Sequence, residues 1–212
     1  MFSLAGLKQT LAMGIVFHAY IDFTEKHYFR TLILTLFAYT IHLAALLGNI
    51  MLVFYLIRNK KSFYPTLIML SATILIGGMI MLSQLVLLSG NEHYEMYFNS
   101  KNHSYASTTL YLYLLILAFT IPFIKSYLRD DNIAKVALAG SLLVCTFQYL
   151  SSYSASLFRL AYCFMPFLIV FVPNIFAQKN STTILKAFRL LTMFVLIFFC
   201  LYTNRNLIFT FA

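Results

Sequence analysis

Phe37-Ala38-Tyr39-Thr40-Ile41-His42-Leu43-Ala44-Ala45-Leu46 lies in the middle of an apolar run from Thr31 to Ile57. At ~1.5 Å per residue, an unbroken helix over that run approaches ~40 Å, against ~30 Å of bilayer hydrocarbon. The run also carries His42 and Asn49, two polar side chains at depth. Either one tilted helix crosses the membrane, or the chain enters, breaks near His42 and returns in two short arms. Irregular backbone at that depth is tolerated only under cover of protein or a wet cavity. The broken arrangement is the expectation here, because it sorts the flanking charges better.

The rest of the chain has the same apolar character. Of 212 residues, 61% are hydrophobic and 10% charged, where a soluble domain carries roughly 25% charged residues. With a mean hydropathy of +0.83, the chain reads as an integral membrane protein. Its net charge of +9 is then a matter of sidedness rather than of nucleic-acid binding. Further apolar runs extend over about Leu4–Phe23, Pro65–Leu88, Tyr105–Tyr127, Ile133–Leu150, Leu157–Phe176 and Ile184–Tyr202. The expected fold is all-α: one polytopic helix bundle over residues 1–212, with about six to seven transmembrane helices, one broken or re-entrant near His42. The first helix begins almost at the first residue, so the chain is expected to be a fragment that lacks earlier membrane helices.

Loop charges orient the bundle. The loops after the second, fourth and sixth runs hold Arg58, Lys60, Lys61, Lys125, Arg129, Lys135, Lys179, Lys186 and Arg189. Those after the third and fifth hold only Lys101 and, at the membrane edge, Arg159. Cytoplasmic loops carry the excess of Lys and Arg, so the first set faces the cytoplasm. If the chain reverses at His42, Lys26 and Arg30 join that side, and Lys8 and His42 approach the outer side with Arg159.

Some polar residues call for an explanation. Arg159 stands at the start of an apolar run, where a cation needs water, an anionic ligand or headgroups. The segment from Ser89 to Ser104 interleaves aromatic rings, Tyr94 and Tyr97 among them, with Glu92, Glu95 and His93. His18, Asp22 and Glu25 recur at i, i+4 and i+7, a metal-like spacing that also suits a hydrogen-bonded helix end. Cys145, Cys163 and Cys200 lie in apolar runs without CxxC spacing and read as small buried hydrophobes. P-loop, GxGxxG and HExxH patterns are absent from the sequence.

Three places together resemble one family. Gly6-Leu7-Lys8-Gln9-Thr10-Leu11-Ala12 is similar to the glycine, basic-glutamine, alanine opening of a membrane helix in EpsG-like, Wzy-type polysaccharide polymerases. Phe37 to Leu46 is similar to that family's alanine, aromatic-histidine, alanine segment, with Ile41 where the aromatic residue usually stands. Phe158-Arg159-Leu160-Ala161-Tyr162-Cys163-Phe164 resembles its arginine-leucine-alanine-tyrosine-phenylalanine segment. Order and spacing agree as well. Lys8 stands where arginine is usual, and lysine lacks the bidentate fork. The resemblance covers nearly the whole chain, but the later part of a typical member.

The resemblance implies a multi-pass enzyme of the cytoplasmic membrane with its active face outside. Its substrate would be a polyprenyl-pyrophosphate-linked oligosaccharide, polymerised into exopolysaccharide, capsule or O-antigen. Membrane lipid and other export or assembly proteins would be its partners; nucleic acid would not. Such a transfer requires no cofactor and little from a metal, because the lipid pyrophosphate is already an activated leaving group. Cations must stabilise that group as it departs, and a group must handle the attacking hydroxyl's proton. Arg159 and His42 are the candidate catalytic residues. Arg159 would clamp pyrophosphate; His42 would accept the proton if neutral or bind phosphate if charged. Lys8, Gln9, Tyr162, Tyr94 and Tyr97 are the candidate substrate-binding residues. A transporter or flippase for lipid-linked sugars, or a non-catalytic assembly partner, is the alternative.

Overall fold

Helices account for all the regular structure in the described part of the chain. The computed structural model describes residues 4–89, 103–130, 132–152, 160–177 and 183–209. In chain order these form α1 (Leu4–Thr24), α2 (Tyr28–Ile41), α3 (Ala45–Gly48), α4 (Ile50–Ile57), α5 (Phe63–Ser89), α6 (His103–Asp130), α7 (Asn132–Leu150), α8 (Met165–Phe176) and α9 (Thr183–Phe209). The fold is an all-α bundle, as the apolar runs predicted.

Helix α7 is the hub. It packs against α4, α5, α6 and α8, and Ala134, Val136, Ala139, Leu143 and Val144 along it are wholly buried. A helix apolar on all sides belongs inside a bundle. Lipid is as apolar as leucine, so such helices associate through close packing rather than through exclusion of water. Small residues make the approach possible at Gly78, which faces Leu150, and at Gly140, which faces Phe167.

Helices α1 and α2 form an antiparallel hairpin. Helix α1 ends in a Schellman turn: the His27 amide donates to Asp22 O at 2.8 Å and the Lys26 amide to Phe23 O at 3.1 Å. Lys26 takes the left-handed position, with φ of 68°, where glycine is the usual residue. Left-handed backbone costs an L side chain ~1–2 kcal/mol, partly offset by glycine's greater chain entropy. Lys26→Gly is therefore expected to stabilise the protein by about 0.5–1 kcal/mol, read as a higher melting midpoint in detergent; a lower midpoint would contradict the turn. Across the hairpin, the exposed Arg30 pairs with the buried Asp22, Nε to Oδ2 at 3.4 Å. Asp22 is thus engaged by a cation on the next helix, and no metal-like cluster of His, Cys, Asp and Glu occurs among the described residues.

The run from Thr31 to Ile57 reverses. His42 is extended, at φ −156° and ψ 123°, and ends α2. The chain then turns back through α3 and α4. Thr35 and Asn49, fourteen residues apart, come within 3.5 Å of each other. The rings of Tyr28 and Tyr55 both meet Phe23, at 5.4 and 5.7 Å. A single helix would separate Tyr28 from Tyr55 by ~40 Å. Each arm is instead ~20 Å long, too short to cross ~30 Å of hydrocarbon.

Cations gather at the open end of this reversed pair. Arg58 closes α4, donating from Nη1 to Tyr55 O at 2.6 Å, with its guanidinium 3.7 Å from the centre of the Tyr55 ring. A cation at a helix C-terminus offsets the exposed carbonyls and the dipole. Tyr55 Oη in turn lies 3.4 Å from Thr24 O, so Lys26, Arg30, Arg58, Lys60 and Lys61 share one end, as a reversal at His42 requires.

Among the described residues, Thr108–Lys125 in α6 and Ile133–Leu150 in α7 are long and apolar enough to cross a membrane. The run Thr31–Ile57 is a returning pair. The run Leu157–Phe176 contributes the 12-residue helix α8, opened by Pro166 at its start and continuing through Pro173. Helix α6 likewise runs unbroken through Pro122.

Candidate functional site

The break at His42 sits against a second break. From Leu160 to Phe167 the amides of Cys163, Phe164, Met165 and Phe167 donate three residues back, to Leu160, Ala161, Tyr162 and Phe164, at 3.0–3.3 Å. Pro166 explains the tightening: it has no N–H for Tyr162 O, and its ring crowds that carbonyl. Tyr162 therefore lies on a turn. The α-helix resumes only at Met165.

The two breaks are bonded together. The Cys163 thiol donates to the Ala44 carbonyl at 3.4 Å, across 119 residues of sequence. Gly48 seats the returning arm: a methyl group there would stand 2.6 Å from Val16 Cγ1 of α1 and 4.0 Å from Cys163 O. The Phe164 ring stacks on Phe147 of α7, centroids 5.5 Å apart and planes 6° apart. Cys163 is thus more than the small buried hydrophobe expected of it; Cys145, buried in α7, fits that description.

His42 itself is half-buried. Its Nδ1 accepts the Ala44 amide at 3.2 Å, which supplies one of the donors that a helix start leaves without a partner. Its own carbonyl takes the Ala45 amide at 3.0 Å. The side chain thus caps the turn that it creates, without proline or glycine.

The other predicted residues divide. Thr31 Oγ1 lies 3.3 Å from Ala19 O, which sets the register of the α1–α2 hairpin. With equal rise along both helices, that register carries Ala38 to the level of Ala12 and His42 to the level of Lys8. Ala12 and Ala38 are both fully buried. Lys8 is exposed, while its neighbour Gln9 is buried. Tyr162 is 41% exposed and within electrostatic reach of the buried Tyr113 of α6. The structure therefore brings Lys8, Gln9, His42 and Tyr162 to the end of the bundle opposite the cation cluster. Arg159, Tyr94 and Tyr97 lie outside the described residues. Sequence reasoning missed the roles of Ala44, Gly48 and Cys163; the small residues Ala44, Ala45 and Gly48 were the available signal.

The EpsG family model matches residues 1–211, essentially the whole chain. The chain belongs to the EpsG family. That membership accords with the three segments that carried the resemblance, two of which meet at Ala44 and Cys163. It makes the chain a membrane protein of a polysaccharide-related family. No curated protein and no solved structure matches this EpsG-family chain.

Proposed function

We propose that this EpsG-family protein polymerises lipid-pyrophosphate-linked oligosaccharide repeat units at the outer face of the cytoplasmic membrane. The observation that carries the reading is the junction of two broken segments, His42–Ala44 and Tyr162–Phe164, through the Cys163–Ala44 hydrogen bond. Irregular backbone inside a membrane bundle is tolerated only where protein buries it or a wet cavity meets it, and the sequence places Arg159 four residues before Cys163. The cation-poor end of the bundle, where both breaks lie, is the outer end by the charge rule.

In this reading Arg159 holds the pyrophosphate and Lys8, with Gln9, assists from α1. Tyr162, Tyr94 and Tyr97 offer ring faces to the sugars. A hydroxyl of one unit forms a bond to the anomeric carbon of the other, while that carbon's bond to pyrophosphate breaks. The electron pair leaves with the phosphate, which is where fixed cations lower the barrier.

Reconstituted protein supplied with lipid-linked repeat units is expected to yield ladders of longer glycans. A single cysteine at position 8 is expected to react with an impermeant reagent from outside. Broken helices also occur in transporters. Labelled repeat units that cross the bilayer without lengthening would replace the polymerase reading with a flippase.

A further inference from the structure

The orientation of His42 decides which of its two chemistries is available. Ring carbons cannot accept a hydrogen bond, so the Ala44 amide at 3.2 Å identifies Nδ1 as an unprotonated acceptor. A neutral imidazole with Nδ1 accepting carries its proton on Nε2. The nitrogen free of the turn is then a donor and cannot take a proton from a sugar hydroxyl. The same alanine is held from the other side, since its carbonyl accepts the Cys163 thiol. One residue thus links the imidazole to the Tyr162–Phe164 turn.

We infer that His42 acts as a hydrogen-bond donor through Nε2–H to an oxygen of the bound pyrophosphate, and that Cys163 is the positioning residue that holds this turn against the Tyr162–Phe164 turn. The identity of the acceptor rests on the polymerase reading; the state of the ring does not. A donor aimed at the leaving group strengthens as charge accumulates there. The hydroxyl's proton then passes to the departing pyrophosphate, so charge and atoms balance without a protein base. Cys163 contributes no contact to the reaction; it fixes a turn whose displacement by an ångström would misplace the donor.

Two measurements test this, one of them without substrate. Full-length protein labelled with ¹⁵N-histidine in lipid bilayers, with His42→Gln to assign the signal, is expected to show Nδ1 bare and Nε2 protonated. The opposite tautomer overturns the inference, whatever the protein's activity. In the ladder assay, His42→Gln places an amide N–H near Nε2 and is expected to retain extension within about 10-fold, while His42→Ala loses about 100-fold. Equal losses would overturn the donor role. Cys163→Val is expected to lower extension by roughly 10- to 100-fold and to disperse the His42 signal. Cys163→Ser, which keeps a donor, is expected to restore both. A serine variant as impaired as the valine one would remove the positioning role. Wild-type protein that makes no ladders but shows the stated tautomer would instead count against the polymerase reading alone.

Discussion

Arg159→Ala is expected to reduce glycan extension by about 10²–10³-fold, the loss typical of one charged or oriented donor at a developing anion, with the melting curve unmoved. A guanidinium is permanently charged and gives two parallel N–H bonds to phosphate oxygens. Its benefit grows as the bond from sugar to pyrophosphate breaks, so removing it raises the barrier more than it weakens ground-state binding. The deficit should appear in kcat, with KM for the lipid-linked unit changed less. Arg159→Lys keeps the charge and loses the fork, and should fall between the two. Ladders of wild-type length from Arg159→Ala would sink the assignment, and the site would then have to be built around Lys8 and His42.

The second large effect concerns stability. Gly140→Ala is expected to destabilise the bundle and Gly14→Ala to stabilise it, although both glycines are helical. A methyl group at Gly140 would stand 2.4 Å from Phe167 Cβ, 2.7 Å from its Cγ and 3.1 Å from Met51 Cε. The Cβ of Phe167 is tied to the α8 backbone and cannot swing aside. The ring is also held edge-on by Phe17 at 5.3 Å and Tyr20 at 5.0 Å. Helix α8 would have to move as a body and drag the Tyr162–Phe164 turn with it. Overpacking of this kind costs ~1–3 kcal/mol, against a gain of ~1 kcal/mol in helix propensity from replacing glycine. Gly14 has nothing within 4 Å of an added methyl, so only the gain remains there. Melting in detergent should shift in opposite directions for the two variants, and Gly140→Val should fall further than Gly140→Ala. Shifts of the same sign would contradict the close α7–α8 contact. Lost extension in Gly140→Ala at a temperature where it stays folded would tie that contact to the position of the second break.

Much of this was legible in the chain. Long apolar runs and scarce charge determine a helical membrane bundle, because lipid leaves the backbone no partners but its own. The asymmetry of Lys and Arg marks one end. The length of Thr31–Ile57, together with His42 within it, pointed to a broken segment. Three short motifs, in order, pointed to the family that the whole chain matches.

Tertiary structure decided the rest. Neither proline nor glycine stands beside His42 to announce where the helix stops. The bonds that hold the turn come from its own imidazole and from Cys163, 119 residues away. Periodicity cannot report that contact, since residues facing lipid and residues facing protein are alike apolar. Tyr162 lies on a turn for a local reason, the amide that Pro166 lacks. Which nitrogen of His42 carries the proton likewise follows only from the folded turn, because the Ala44 amide reaches Nδ1 only once the helix has ended.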